Sequence, residues 1–217
     1  MPNLKIKKNV DEPLLTVVRE CCGSNIDMKN NRLELLKILN KNSLEVSQYP
    51  KFQLASGTLS NFYVDCKMTT LLSHGLNLVG QIIFDIIAPL NIKGIGGLTL
   101  GADPIANATA MIAGQKGLDL ISFVIRKETK KHGKMKWIEG GIRFGDRVVI
   151  IDDVITTGGS TIQAIDKAEE AGLNIVKVIV LVDREEGGRI NIQNKGYDVE
   201  SIFTKSELME EYARYNK

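Results

Sequence analysis

Two adjacent carboxylates, Asp152 and Asp153, separate a run of β-branched residues from a loop of threonine, glycine and serine. The stretch reads Val148-Val149-Ile150-Ile151-Asp152-Asp153-Val154-Ile155-Thr156-Thr157-Gly158-Gly159-Ser160-Thr161. Glycines let backbone N–H groups turn toward an anion, and hydroxyls add donors. A helix opening after the loop adds partial positive charge at its amino end. That combination suits a phosphate monoester. The two acids would repel the phosphate itself. They suit sugar hydroxyls, or water on a metal ion that neutralises them. An acidic pair beside a phosphate cradle therefore points to a sugar phosphate. The plain alternative is a strand end and helix cap with no ligand. A Walker loop needs G-K-[ST], which is absent. The G-x-G-x-x-G pattern fails too, because Thr99 stands where the last glycine should follow Gly94 and Gly96.

Three other segments carry groups able to do chemistry. Arg126 to Lys136 holds six Lys or Arg, His132 and Glu128. On composition this is a solvated loop or a nucleic-acid patch. It lacks interleaved aromatics before Trp137, and the rest of the chain is not basic, which argues against the patch. Val182-Asp183-Arg184-Glu185-Glu186-Gly187-Gly188 places an arginine after an apolar run. It reads as a surface ion pair, or as a planar fork for a carboxylate or uracil-type edge. Phe52 to Asp65 contains Tyr63, a core aromatic or a platform for a planar base.

Elements must position these groups. Asn30 or Asn31 can cap a helix carrying Leu33, Leu35, Leu36 and Leu39 that ends near residues 40–42. Phe52 to Asp65 reads as a hairpin or bent strand pair. Leu78, Val79, Ile82, Ile83, Ile86 and Ile87 share one helix face. Strands are expected at Ile92–Gly97, Ile121–Ile125, Val148–Ile151 and Ile175–Val182. Helices are expected at Pro104–Ala113 and Thr161–Ala171, the latter with Ile162, Ile165 and Ala168 inward and Gly172 just past its end. Thr204 with Glu207 fits a capping box. Leu14–Val18 is short enough to be either strand or helix. Apolar strands alternating with helices indicate an α/β fold with a mainly parallel central sheet flanked by helices. Ligands of such sheets bind at the carboxyl ends of strands. The segments after Ile125, Ile151 and Val182 lie there.

Length and composition set bounds. The chain has 217 residues, 43% apolar and 25% charged, which suits one globular core and excludes disorder and coiled coil. Lys plus Arg is 28 and Asp plus Glu is 26, a net charge of +2, so whole-chain charge indicates no nucleic-acid partner. No apolar run reaches the ~18–20 residues of a membrane span, so no membrane partner is expected. The first residues lack an apolar signal core. Cys21, Cys22 and Cys66 make a poor disulfide framework and read as reduced thiols of a cytoplasmic protein. His74 and His132 are too isolated to suggest a zinc site.

The Asp152-Asp153 stretch resembles the phosphoribosyl pyrophosphate signature of the type I phosphoribosyltransferases. R-K-E-x-K-x-H-G from Arg126 resembles the catalytic loop of the orotate phosphoribosyltransferases in particular. V-D-R-x-E-G-G around Arg184 and F-x-L-x-S-G-x-x-S-x-x-Y ending at Tyr63 are similar to that family's base-recognition and hood segments. The resemblance covers about residues 31–210. It implies a type I phosphoribosyltransferase fold with a small hood at about 31–70 and a core at about 71–217, one domain spanning 31–217. Residues 1–30 are left as an extension without an assigned role.

The family resemblance implies the transfer of a 5-phosphoribosyl group from 5-phospho-α-D-ribose 1-diphosphate (PRPP) to orotate in pyrimidine (UMP) biosynthesis. It implies catalytic roles for Lys130, His132, Asp152 and Asp153. It implies PRPP contacts from Arg126, Lys127, Lys130, His132, Asp152, Asp153, Val154, Ile155, Thr156, Thr157, Gly158, Gly159 and Ser160. Orotate would meet Thr156, Arg184 and Tyr63. Mg²⁺ would arrive with the substrate, with no direct protein ligand and water-mediated contact to Asp152 or Asp153. The basic flap would cross between subunits of a homodimer. Many members carry lysine where Ala55 stands, and Tyr-Lys where Leu100-Gly101 stand. A phosphoribosyltransferase for another base, or a regulator keeping the site as a sensor, are the alternatives.

Overall fold

The computed structural model describes residues 25–53, 57, 59–128 and 137–215. Leu14–Val18, Ala55, Lys130 and His132 lie outside the described residues.

Helix α1 (Asn25–Asn42) opens the described chain. It begins upstream of the expected cap at Asn30 or Asn31; no glycine or proline interrupts residues 25–31, and Asp27 suits the positive end of the helix. Leu35, Leu36 and Leu39 are buried, whereas Leu33 is exposed. Short strands follow: β1 (Leu44–Val46), β2 (Phe52–Gln53), β3 (Leu59–Ser60) and β4 (Phe62–Val64). The expected pairing within Phe52–Asp65 is only partly met. β2 pairs with β3, but β4 turns away and pairs antiparallel with β1. The alternation of β4 explains this: Phe62 and Val64 enter the core while Tyr63 faces out.

Helices α2 (Lys67–Thr70) and α3 (Ser73–Ile87) lead to β5 (Gly94–Leu98), α4 (Ala102–Gln115), β6 (Ile121–Ile125) and β7 (Ile138–Glu139). Then come β8 (Arg147–Ile155), α5 (Gly159–Glu170), β9 (Asn174–Asp183), α6 (Gly188–Asn194), β10 (Val199–Thr204) and α7 (Lys205–Tyr215). The main sheet has the order β10-β9-β8-β5-β6-β7, parallel except for β7. The chain winds outward from β5 in both directions, so the carboxyl ends of β5, β8 and β9 gather at one edge.

Alternate residues of β8 supply opposite layers, as a period of two requires. Val149 and Ile151 pack with Leu35, Leu39, Phe62, Leu78, Ile83 and Ile105. Val148 and Ile150 pack with Phe123, Ala164, Ile165 and Ile192. Each such side chain fully buried contributes ~1.5–3 kcal/mol. Strand β8 is longer than Val148–Ile151. Pairing with β9 continues through Val154 opposite Val182 and Ile155 opposite Asp183, so Asp152 and Asp153 lie inside the strand, not beyond it. The capping box at α7 is present: Glu207 Oε2 accepts from the Thr204 N–H at 2.9 Å, and Thr204 Oγ1 accepts from the Glu207 N–H at 3.2 Å.

Candidate active site

Asp152 is buried at the centre of the sheet's carboxyl edge. Its Oδ2 accepts from Thr161 Oγ1 at 2.6 Å and its Oδ1 from the Asp153 N–H at 3.0 Å. Burial and then the neighbouring Asp153 charge push its pKa up to about 7. Asp153 points to the other face of β8. Its Oδ1 accepts from the Val154 N–H at 3.0 Å, and its Oδ2 lies 3.9 Å from Lys67 Nζ. Burial raises its pKa as well, and Lys67 opposes the rise. The pair is thus a partly desolvated acidic site with oxygen acceptors fixed by the backbone. Such acceptors suit hydroxyl donors.

The loop Thr156–Ser160 follows at once. Gly158 takes φ +83 as the cap of α5, a left-handed conformation that side chains rarely adopt. Thr157, Gly159 and Ser160 are exposed, so the amino end of α5 faces solvent and can receive an anion. Val154 is half-buried, whereas Ile155 belongs to the core and offers only its backbone. This loop is stitched to the segment after β9. The Arg184 N–H donates to Ile155 O at 3.0 Å, the Gly188 N–H to Thr156 O at 2.8 Å, and Asn191 Nδ2 to Thr157 O at 2.9 Å. The phosphate-type loop and the arginine segment are therefore one rigid unit.

Arg184 is buried, with Nη2 2.9 Å from Glu186 Oε1 and 3.4 Å from Phe62 O of β4. Its Nε is buried and lacks a hydrogen-bond partner. Tyr63, next to Phe62, stacks on Phe52 with ring centroids 5.5 Å apart and remains exposed. Lys67, at the start of α2, holds Asp65 Oδ1 at 2.6 Å. Burial alone would lower its pKa, but that hydrogen bond and the charges of Asp153 and Asp65 raise it.

Arg126 and Lys127 leave the carboxyl end of β6. The Arg126 N–H donates to Trp137 O at 2.9 Å, and its guanidinium reaches Glu139 Oε1 at 3.4 Å and Glu128 O at 3.3 Å. The structure thus brings Asp152, Asp153, the Thr156–Ser160 loop, Arg184 and strand β4 together. Arg126 and Lys127 stand at the end of β6, which neighbours β5 in the sheet.

Comparison with known proteins gives this arrangement a family. A model of the phosphoribosyl transferase domain matches residues 78–206. An orotate phosphoribosyltransferase of Aquifex aeolicus is 43% identical over 178 residues, 82% of this chain and 97% of that one. One of Leptospira biflexa is 45% identical over 160 residues, covering 72% and 86%. The chain belongs to the orotate phosphoribosyltransferase family. Among solved structures, the Mycobacterium tuberculosis orotate phosphoribosyltransferase in complex with PRPP is similar at a TM-score of 0.69 and 30% identity, covering 82% of this chain and 98% of that one. The type I phosphoribosyltransferase fold expected from the motifs is the fold observed.

Two residues of this orotate phosphoribosyltransferase family member escaped the motif reading. Lys67 follows the hood motif by only four positions from Tyr63, and its proximity to Asp65 in sequence was the available signal. Lys167 sits three residues after the inward Ala164, a spacing that turns it to the buried side of α5. As for Mg²⁺, no group of three or more His, Cys, Asp or Glu gathers among the described residues. Two carboxylates, with three of their four oxygens already accepting hydrogen bonds, cannot build a protein cage. They fit an ion that keeps most of its waters and takes its other ligands from substrate phosphates. No helix among the described residues is long and apolar enough to cross a membrane.

Proposed function

We propose that this protein transfers the 5-phosphoribosyl group of PRPP to N1 of orotate, giving orotidine 5′-phosphate and pyrophosphate in pyrimidine biosynthesis. The observation that carries the reading is the stitched unit of Asp152-Asp153, the Thr156–Ser160 loop and Arg184 in a member of this family. The bond from C1 of the ribose to the pyrophosphate oxygen breaks, and a bond from C1 to orotate N1 forms. The N1 proton leaves orotate in the exchange.

Thr156, Thr157, Gly158, Gly159 and Ser160 hold the 5′-phosphate through backbone N–H groups and hydroxyls. Asp152 and Asp153 accept from the ribose hydroxyls, with the backbone of Val154 and Ile155 beneath them. The ribose ring becomes cationic as the leaving group departs, and an acidic pair below it lowers the cost of that charge. Arg126, Lys127, Lys130 and His132 take the charge of the pyrophosphate. Arg184 orients orotate from one side, with Thr156 and Tyr63 as further contacts. Asp153 or Asp152 would hold, through water, a Mg²⁺ ion carried by PRPP, which would supply screening of the diphosphate charge.

Residues 31–217 form the enzymatic domain, with a hood at about 31–70. The enzyme acts as a homodimer in the cytoplasm; a buried, unbridged Cys66 is consistent with a reducing setting. Pyrophosphate release by purified protein with PRPP and Mg²⁺ tests the reading. Release should require orotate and should fail with uracil, adenine or hypoxanthine. Release with a purine instead, or with no base at all, overturns it.

A further inference from the structure

Lys167 is a lysine in the wrong place for a surface charge. Its residue is 7% exposed, and no salt bridge from a carboxylate among the described residues holds its ammonium. Nζ instead donates to two backbone carbonyls, Arg126 O at 2.7 Å and Lys127 O at 3.2 Å. The same ammonium sits 3.7 Å from the centroid of the Trp137 ring. Arg126 and Lys127 follow the last residue of β6, and Trp137 immediately precedes β7. The Arg126 N–H also donates to Trp137 O. One side chain from α5 therefore grips both roots of the basic segment, and α5 is the helix whose amino end closes the phosphate-type loop.

A lysine buried this way is costly, and a hydrocarbon at position 167 would pack more cheaply against Trp137. Burial pulls its pKa down, against the opposing charge of Glu170. A group kept at such cost is explained by what it holds. The two carbonyls belong to the residues whose side chains are assigned to the diphosphate, and a shift of about 1 Å in such groups is expensive in rate.

We propose that Lys167 is a positioning residue for PRPP: it fixes the Arg126–Lys127 backbone and Trp137 against α5, so that the diphosphate-binding cations and the 5′-phosphate loop keep one spacing. The inference rests on the proposed function, because it needs Arg126 to serve the donor substrate. It predicts a selective effect. Lys167→Met keeps most of the length and the unbranched packing of the side chain but removes the donors. Its KM for PRPP should rise about tenfold, with KM for orotate within about twofold and Tm within about 2 °C of wild type. Lys167→Arg restores donors to both carbonyls and a planar face for Trp137, and should recover most of the PRPP affinity.

Steady-state kinetics in both substrates and thermal melts of the intact enzyme make the test, with Arg126→Ala as the reference. If Arg126→Ala raises KM for PRPP and Lys167→Met does not, the inference is wrong while the site reading stands. If Lys167→Met raises both KM values together and lowers Tm, its role is structural only and the inference fails. If Arg126→Ala leaves KM for PRPP at the wild-type value, the site reading fails and takes this inference with it. A PRPP-selective defect in Lys167→Met, recovered in Lys167→Arg, is the supporting result.

Discussion

A Cβ placed on Gly101 would lie 2.2 Å from Oδ1 of Asp153 and 2.3 Å from its Cγ, so the carboxylate occupies the space that any side chain at position 101 would need. Gly101 caps α4 just after β5, and Asp153 lies within β8, which pairs with β5 in parallel. Gly101 has φ −61 and ψ −39, ordinary helical values, so alanine there carries no backbone strain. The whole effect of Gly101→Ala should come from moving Asp153. We expect kcat/KM to fall about 10²-fold, since misplacement near 1 Å has that cost. Gly114→Ala is the control. It lies in the same helix with open space around it, and should gain about 0.5–1 kcal/mol with unchanged kinetics. Equal activity in both variants would remove Asp153 from the site.

Asp152 makes stability depend on pH. Its folded pKa of about 7 stands above the ordinary 3.8. Below about pH 4 the folded and unfolded chains both hold the proton, and the contribution is complete. As pH rises from about 4 to about 7 the unfolded chain ionises first, so stability falls across that window. Asp152→Asn removes the penalty while keeping hydrogen-bond capacity, with Oδ1 accepting from the Asp153 N–H and Nδ2 donating to Thr161 Oγ1. Denaturant melts should show Asp152→Asn more stable than wild type by roughly 1–3 kcal/mol at pH 8, a gap that closes toward pH 4.5. Activity should drop about 10²-fold, as for loss of a charge-stabilising group. A gap independent of pH would mean that Asp152 is not held neutral by the fold.

Much of this was legible in the residues because each motif carries its own mechanism. Thr156-Thr157-Gly158-Gly159 fits a loop where backbone donors must turn, and the β-branched run before it fits a central strand. The boundaries were less legible. Val154 and Ile155 look like loop, yet β9 runs alongside and draws them into pairing. Strand β10 and helix α6 were not anticipated: Val199–Thr204 mixes Glu200 and Ser201 into an edge strand, and Gly188 hides the start of α6. Of the four leucines expected on this helix, Leu33 lies outside, because the apolar stripe of α1 is narrow. Lys67, Gly101 and Lys167 each also meet a residue distant in sequence, Asp153 for the first two and Arg126 and Lys127 for the third, and local spacing alone does not reveal those contacts.

The stitch between the two loops should be breakable at one point. A Cβ on Gly188 would meet Thr156 O at 2.5 Å and the Gly158 nitrogen at 2.9 Å. Backbone on both sides leaves little room to yield. Gly188→Ala should cost about 1–3 kcal/mol by overpacking. Because Thr156 and Arg184 belong to the same unit, KM for PRPP and KM for orotate should rise together. Kinetics in both substrates check this; a rise for one substrate alone would show that the loops move independently.

Arg184 presents the sharpest test of base recognition. Its Nη2 is shared between Glu186 and Phe62 O, while its buried Nε makes no hydrogen bond. A buried donor left this way costs ~1–3 kcal/mol, which an incoming carboxylate would recover. Lysine at this position keeps the charge but has no fork, and its three donors cannot present Nε and Nη2 side by side. Arg184→Lys should therefore raise KM for orotate at least about tenfold, near the value of one charge-assisted hydrogen bond, with KM for PRPP within about threefold. Saturating orotate should raise the Tm of the wild type and leave that of Arg184→Lys nearly unmoved, because only bound ligand stabilises the fold. The melt separates recognition from turnover. A full orotate shift in Arg184→Lys would place base recognition elsewhere, even if the variant were slow.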